Sequence, residues 1–517
     1  MILRTGAAVV AALLATTAVG TADAQTPRKG GTLTVGVPNG IPTFDIMAST
    51  DDTGRVIHLH MYEPLIGRNE KLEAAPMLAE SWSVSADGLT YTFKIRKGIT
   101  FHNGKTLTSA DAKASIERYK RMSVRRRYLE DIAEVSAPDS DTVAFKLKSA
   151  RPLFMNNFSQ PEVIVAMLPA EEAAKDANKI ESIGTGPYKL QEYKPDSHVR
   201  LVRNDAYVPD TRSTSRDGYV GNKQAYLDTI NFRIIPESSA MIAALETGEI
   251  DMAEWVPDKS VPTLKKNPKL THVNIMPAGM QSLSINMAQA PMDKLLVRRA
   301  VEVALDIDEI MDAARDGNYQ LNHSVQYPGY ATHPGDRGKE RYNKKDQAQA
   351  KKWLAEAGYK GEPVIIISAV TFDWHAATAL VISEQLKAIG MNVQLKSMDW
   401  PAVVALRSRP DGWHLNPGFF GTGPWLGDPL ISIASLIGPI PGNHFKDGPL
   451  YDYAHDMENL PTAEGRLQAW FKAQDRIIDQ VLMIKLGDMG HSQMLSNKIQ
   501  GFTKFRTARL WNVWLQN

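Results

Sequence analysis

The sequence contains no cysteine among its 517 residues. Disulfide bonds and a cysteine nucleophile are therefore excluded. A lipid anchor on an N-terminal cysteine is excluded for the same reason. A chain of this length buries a core that needs no cross-links, so the absence carries no stability penalty.

The sequence also lacks a large net charge and the common catalytic motifs. Lys and Arg total 59 and Asp and Glu total 58, giving a net charge of +1. This balance does not indicate nucleic acid or a membrane surface as a partner. The sequence has no Gly-x-Ser-x-Gly elbow, no His-Glu-x-x-His helix and no phosphate loop. Catalysis could come only from separate Ser, His and Asp residues brought together by folding, and no cofactor is indicated.

The one long apolar run lies at the N-terminus. Arg4 is followed by small apolar residues over positions 7–19, and then by Ala22-Asp23-Ala24. This pattern predicts a secretory signal peptide in residues 1–24, cleaved after Ala24. The run is too short and too rich in Ala and Thr to favour a membrane anchor.

The clearest local pattern covers residues 76–119. Apolar residues alternate with polar ones over positions 82–84 and 89–95, on either side of a turn that contains Gly88. The alternation predicts a half-buried β-hairpin. Thr108 and Asp111 then form the N-cap and N3 pair that opens a helix.

The remaining periodicity indicates an α/β protein, with alternating strands and helices that favour a mostly parallel, doubly wound second half. We predict strands at residues 30–37, 142–148, 226–235, 364–367, 393–396 and 481–486. We predict helices at residues 56–65, 238–247, 295–314, 348–357, 376–389 and 467–478. His58 and His60 are two apart on the first of these helices and point to different sides, which opposes shared metal ligation.

Several motifs occur in a characteristic order. Besides residues 76–119, they include Lys29-Gly-Gly-Thr-Leu33, Tyr62-Glu-Pro-Leu65, Gly184-Thr-Gly-Pro-Tyr188, Leu245-Glu-Thr-Gly-Glu-Ile-Asp251 and residues 350–359. Together they closely resemble the large solute-binding proteins of ABC importers for peptides, nickel, opines and related solutes (family 5, dipeptide- and oligopeptide-binding protein-like).

The resemblance implies a two-lobed periplasmic binding protein of class II type. Lobe I would comprise residues 25–57, 184–278 and 486–517, and an inserted subdomain would comprise residues 58–183. Lobe II would comprise residues 279–485. A two-strand hinge near residues 272–284 and 483–491 would join the lobes, and closure over the solute would be a population shift.

The implied function is capture of a small peptide or peptide-like solute in the periplasm, without chemical change. The protein would be a monomer that delivers its solute to an ABC permease of the inner membrane. The alternatives are a non-peptide solute (an opine, glutathione, a metal chelate or a sugar), a periplasmic hydrolase, and a chaperone or adhesion role.

The resemblance also implies a set of ligand-binding residues and no metal. They are Gly40, Ile41, Asp45, Arg125, Arg127, Tyr128, Trp374, His375, Trp400, Phe419, Phe420, Gly421, Thr422, Trp425 and Asp428.

One of these positions departs from the family pattern. In peptide-binding relatives an Asp holds the ligand's amino group, and here Thr422 stands in its place, with Phe419 replacing a nearby Trp. A neutral hydroxyl cannot form the charge-assisted bond that a buried ammonium needs. Asp45, Asp373 and Asp428 are the candidate replacements.

Two groups of predicted site residues have ordinary structural alternatives. A run such as Arg125-Arg-Arg127 is typical of solvated surface, whereas arginines at the cleft would favour a solute with a carboxylate or phosphate. The large aromatics Trp374, Trp400, Phe420 and Trp425 serve equally in a cleft or in a core.

Overall fold

The computed structural model of the protein describes residues 26–49, 51–161, 164–177, 179–370, 372–420, 429–437 and 442–516. None of the helices in these ranges combines the length and apolar composition needed to cross a bilayer.

Strands and helices alternate along most of the chain. The strands are β1 (Thr32–Val37), β2 (Ile66–Arg68), β3 (Ala74–Pro76), β4 (Ala79–Val84), β5 (Thr90–Ile95), β6 (Ile132–Asp139), β7 (Thr142–Leu147), β8 (Tyr188–Lys194), β9 (His198–Arg203), β10 (Arg216–Asp217), β11 (Val220–Gly221), β12 (Thr229–Ile234), β13 (Met252–Ala253), β14 (Leu270–Ile285), β15 (Tyr319–Gln320), β16 (Pro363–Ala369), β17 (Asn392–Met398), β18 (Leu415–Phe420), β19 (Met483–Ser496), β20 (Ile499–Gln500) and β21 (Trp514–Leu515).

The helices are α1 (Asp52–Met61), α2 (Ser109–Met122), α3 (Phe154–Phe158), α4 (Ala170–Ala173), α5 (Ser238–Thr247), α6 (Val261–Leu264), α7 (Leu295–Ala304), α8 (Ile307–Arg315), α9 (Gln347–Glu356), α10 (Asp373–Ala388), α11 (Trp400–Arg407), α12 (Pro429–Ser432), α13 (Ala434–Ile437), α14 (Gly448–Asn459) and α15 (Ala463–Gln480). Short 3₁₀ turns cover Ile46–Ala48, Arg126–Leu129, Asp258–Ser260 and Lys339–Arg341.

One 11-stranded sheet runs through both lobes, in the order β17-β16-β18-β14-β19-β13-β1-β12-β9-β8, with β15 paired to β19. The long strands β14 and β19 are antiparallel partners at its centre, and their register shifts between Ile275 and Gly279. They coincide with the two segments that we expect to form the hinge. The exact lobe boundaries stay a prediction.

The expectation of a mostly parallel second half is only partly correct. Strand β16 is parallel to β17 and to β18, but β18 is antiparallel to β14. The reason is topological: β14 enters lobe II and β19 leaves it, so the two central strands run in opposite directions. The sheet of lobe II is therefore mixed.

The inserted subdomain contains a four-stranded antiparallel sheet in the order β4-β5-β7-β6. The predicted hairpin is present as β4 and β5, and β5 buries Tyr91, Phe93 and Ile95 on one face. Phe93 and Phe145 stack across neighbouring strands with ring centroids 5.2 Å apart. The period-two pattern therefore predicted the hairpin correctly and also the strand β7, but not β6 or the four-stranded sheet.

The predicted capping box also forms at the start of α2. The backbone N–H and the hydroxyl of Thr108 both donate to Asp111 Oδ2, at 2.9 and 2.7 Å. Asp111 also accepts from the backbone N–H of Ala170 at 2.8 Å. This carboxylate thus joins two helices, because it satisfies donors at the start of each.

Two predicted helices have wrong boundaries. The helix expected at residues 56–65 begins earlier, at Asp52, where Asp51 caps it, and ends before Glu63-Pro64. The helix expected at residues 295–314 is interrupted at Leu305, after which the Asp306 side chain caps a new helix by accepting from Glu309 N. Cap residues override the continuous apolar spacing in both cases.

Two large apolar clusters form most of the core, and residues of the hinge strands contribute to both. One contains Leu33, Phe93 and Tyr188 and packs lobe I against the inserted subdomain, and the other contains Leu283, Ile366 and Trp470 within lobe II. Tyr327 belongs by sequence to lobe II but packs in the first cluster. The loop carrying Tyr327 thus links the two lobes.

Candidate ligand-binding cleft

A cavity of about 360 Å³ lies between the inserted subdomain and lobe II. The subdomain contributes Arg127, Tyr128, Glu130, Asp131, Arg151, Leu153, Phe154 and Asn157 to its lining. Lobe II contributes Leu430, Ala434, Ile437, Tyr451, Ala454, His455 and Glu458. Its volume lies in the range of small-molecule binding sites, and its lining combines apolar walls with a few charged groups.

The subdomain wall includes two residues that the family resemblance implied. The guanidinium of Arg127 lies over the ring of Tyr128, 5.0 Å from its centroid, and its Nη2 donates to Tyr128 Oη at 3.2 Å. Arg125 points elsewhere and lines a separate cavity of about 10 Å³ beside Asp51 and Arg55. Only Arg127 of the arginine run therefore lines the large cavity.

A second guanidinium at the cavity is already neutralised. Arg151 binds Asp131 through Nε and Nη2, at 2.9 and 3.2 Å from the two carboxylate oxygens. Its Nη1 also donates to Asn459 Oδ1 of lobe II at 2.6 Å. Arg151 therefore connects the two walls of the cavity.

The lobe II wall was not predicted from the sequence. Tyr451, Ala454, His455 and Glu458 occupy positions i, i+3, i+4 and i+7 of α14, so they share one helix face. The only sequence signal for this wall was the helical spacing of these polar and aromatic residues, which places them on one face. Nothing in the spacing shows that this face meets a subdomain more than 300 positions earlier.

Trp374, His375 and Trp400 form an aromatic cluster with Phe372. The His375 ring lies 5.2 Å from Trp374 and 5.9 Å from Trp400. His375 is fully buried, its Nδ1 accepts from Ala369 N at 3.1 Å, and burial lowers its pKa to about 4. His375 is thus a neutral residue beneath the half-buried tryptophans, and this cluster is separate from the residues that line the large cavity.

A buried cation supports the aromatic cluster from behind. The Arg315 guanidinium lies 4.9 Å from the Trp374 ring centroid, and its Nε donates to Gln281 Oε1 at 3.1 Å. Burial lowers the pKa of Arg315 to about 10. The side chain remains charged at neutral pH and fixes the position of Trp374.

The remaining implied site residues lie away from the large cavity or outside the described ranges. Ile41 is buried in the lobe I core and Gly40 precedes it. The backbones of Phe419 and Phe420 lie in β18, opposite Gln281 and Met280. Gly421, Thr422, Trp425 and Asp428 lie outside the described residues.

Two candidate replacements for the missing carboxylate have cationic partners. Asp45 is buried and pairs with the buried guanidinium of Arg118, and its Oδ1 accepts from Met47 N at 3.2 Å. Asp373 is exposed and pairs with Lys259 of lobe I at 2.9 Å. The third candidate, Asp428, lies outside the described residues. The geometry therefore favours a structural role for Asp45 and a contact between the lobes for Asp373.

Lobe I contributes a buried carboxyl near the hinge. Glu254 accepts from Gln493 Nε2 at 2.9 Å, and burial raises its pKa to about 8. His491 Nε2 donates to the backbone carbonyl of Glu254 at 2.6 Å. The His491 ring lies 4.4 Å from the ring of the partly exposed Trp255. Glu254 is thus protonated at neutral pH, because its environment disfavours the anion.

This carboxyl predicts a specific pH dependence of stability. The folded-state pKa is raised above the unfolded value, so the folded protein retains a proton that the unfolded chain loses, and stability falls as pH rises toward 8. The buried histidines titrate lower, so we expect the effect to be clearest between about pH 6.5 and 8. Over that interval the wild type should lose about 1–2 kcal/mol of its free energy of unfolding through this carboxyl. Glu254→Gln should not show this loss when its stability is measured by urea unfolding. Replacement of the exposed Glu246 by Gln is the matched control, and an identical pH profile for the wild type and Glu254→Gln would contradict the prediction.

The described residues offer no metal centre. In those ranges, no group of three or more His, Asp or Glu side chains is placed to hold a metal ion.

Comparison with known protein families decides the classification. The model of bacterial extracellular solute-binding proteins, family 5, matches residues 73–439. The chain belongs to this family. It is a solute-binding protein of the type that serves ABC importers, and members of the family act outside the cytoplasm.

Curated relatives and solved structures agree with this assignment. The oligopeptide-binding protein AppA of Bacillus subtilis is 30% identical over 421 residues, covering 76% of this chain and 74% of the relative. A glutathione-binding protein, GsiB, of Pectobacterium atrosepticum is 26% identical over 495 residues, covering 90% of each chain. The ABC transporter substrate-binding protein CtaP of Listeria monocytogenes has a TM-score of 0.82 at 23% identity, covering 95% of this chain and 100% of its own. The expected α/β binding-protein fold is thereby confirmed.

Proposed function

We propose that this protein captures a small peptide or peptide-like solute in the periplasm and delivers it, chemically unaltered, to an ABC permease. The observation that carries the proposal is the cavity of about 360 Å³ lined by both the inserted subdomain and lobe II. A solute held there touches both halves at once. Its binding energy then favours the form in which the halves are in contact.

The cavity lining is suited to a peptide. Leu153, Phe154 and Ile437 offer apolar surface for side chains, while Asn157 and Tyr451 offer hydrogen-bonding groups for a peptide backbone. Peptide binders among the relatives, such as AppA, support this choice of solute class. The glutathione-binding relative extends the class to modified peptides.

We also propose how the protein reaches the periplasm and in what form it acts there. The chain is cleaved after Ala24 and works as a soluble monomer in the periplasm. Two contacts between the halves, Arg151 with Asn459 at the cavity and Lys259 with Asp373 elsewhere, support a form that a permease distinguishes from an open one. The protein is not an enzyme, because solute delivery requires only binding and release.

A ligand screen tests the proposal. We expect peptides or glutathione to raise the melting temperature by mass action and to change tryptophan fluorescence, whereas opines, nickel chelates and sugars do not. Mass spectrometry of the same mixtures should recover each ligand unchanged. Stabilisation by a non-peptide solute alone would contradict the peptide assignment, and turnover without a partner would support a hydrolase.

A further inference from the structure

The cavity wall carries two side chains of opposite charge, Glu130 and Arg127. Both residues belong to the 3₁₀ turn Arg126–Leu129 and its C-cap, and they are three residues apart. Side chains at i and i+3 of a 3₁₀ turn project on the same side. Both line the large cavity. The turn therefore presents a cation and a carboxylate to the same space.

The two groups are not joined in an ion pair with each other. Arg127 instead lies over the ring of Tyr128. Across the described part of the chain, no ion pair involves Arg127 or Glu130, and Asp131 next in sequence is bound by Arg151. Arg127 and Glu130 are thus the charges of the subdomain wall that remain available to a solute.

The charge balance of the cavity favours a solute with a positive group. Two guanidinium and three carboxylate side chains line it: Arg127, Arg151, Glu130, Asp131 and Glu458. Among these five groups the carboxylates outnumber the guanidiniums by one, so together they carry a net negative charge. Arginines at the cleft would favour an anionic solute if they acted alone. The net negative lining instead gives an electrostatic potential that disfavours a purely anionic solute.

We propose that Glu130 binds the ammonium group of the solute and that Arg127 binds its carboxylate. Glu130 then supplies the charge-assisted hydrogen bond that Thr422 cannot form, so the protein selects zwitterionic peptides with a free amino terminus. This inference rests on the proposed function and specifies how the same cavity recognises its solute.

Geometry and chemistry agree with these assignments. A carboxylate accepts from an ammonium with the strength of a charged hydrogen bond, and a guanidinium binds a carboxylate in a bidentate manner. The apolar residues Leu430, Ala434 and Ile437 lie on the lobe II side of the same cavity. Peptide side chains can pack there while the charged ends contact the subdomain turn.

Binding of chemically blocked peptides tests the inference. Purified full-length mature protein is incubated with an equimolar mixture of di- and tripeptides in free, N-acetylated and C-amidated forms. After desalting, the retained peptides are released by denaturation and quantified by mass spectrometry. Dissociation constants of retained peptides are then measured by calorimetry for the wild type, Glu130→Gln and Arg127→Gln. Glu134→Gln, an exposed glutamate of the same subdomain that does not line the cavity, is the matched control.

We expect the wild type to retain free peptides and to bind N-acetylated forms at least tenfold more weakly. Glu130→Gln should weaken binding of free peptides by about ten- to a hundredfold and abolish discrimination against acetylation, because one charged hydrogen bond is lost. Arg127→Gln should abolish discrimination against C-amides, and Glu134→Gln should match the wild type. Retention of free peptides with unchanged affinity in Glu130→Gln would overturn this inference alone. Retention of no peptide in any form by the wild type would overturn the proposed function instead.

Discussion

Asp45→Ala is expected to lower the free energy of unfolding by about 3–5 kcal/mol, because it leaves the guanidinium of Arg118 buried without its carboxylate. Both side chains are almost fully buried, at 1% and 0% exposed. Arg118 also donates to the backbone carbonyl of Lys175, so it cannot leave the interior without breaking a second contact. Urea unfolding followed by circular dichroism measures the change.

A matched replacement separates this structural effect from a role in binding. Asp373→Ala removes a carboxylate whose ion pair with Lys259 is exposed, so we expect no measurable change in the free energy of unfolding. If Asp45→Ala kept wild-type stability and lost only peptide binding, Asp45 would be a ligand-binding residue, as the family resemblance implied.

Gly184→Ala is expected to destabilise the protein by about 3 kcal/mol or more, because the added methyl group has no room. A Cβ at this position would lie 2.0 Å from the backbone oxygen of Met61, and at Gly186 it would lie 2.5 Å from that of His60. Backbone atoms of a packed helix end cannot move aside as a flexible side chain can. Thermal and urea unfolding would measure the loss.

The control for this prediction is another glycine with open space. Gly448 is the first residue of α14, and a Cβ there would meet nothing within 4 Å. Gly448→Ala should leave stability unchanged or raise it slightly, because alanine is the better helix former. Equal stability of Gly184→Ala and the wild type would show that helix α1 can shift, and that the Gly184-Thr-Gly motif serves something other than close packing.

Local signals in the sequence predicted local structure well. The β4–β5 hairpin follows from alternation, the start of α2 follows from Thr108 and Asp111, and α5 covers the predicted residues 238–247. Each depends on residues close together in sequence. The interruption between α7 and α8 was missed because apolar spacing continues across it, while the cap at Asp306 ends the helix.

The site was less predictable because distant segments build it. Arg127 and Tyr128 were included through resemblance to a family, but Glu130 and the α14 face were not. Their placement depends on how the subdomain packs against lobe II. Conversely, Asp45 looked available in the sequence because its partner Arg118 is 73 positions away. Local patterns report propensity and burial, whereas a cavity between two units is decided by tertiary packing.

The position of β19 in the chain has a consequence for the order of assembly. This strand, Met483–Ser496, pairs with β14 on one side and with β13 on the other, and it follows every other strand of the described sheet path in the sequence. Along that path, the part of the sheet that contains β14 and the part that contains β13 therefore stay unjoined until the chain has been made as far as β19.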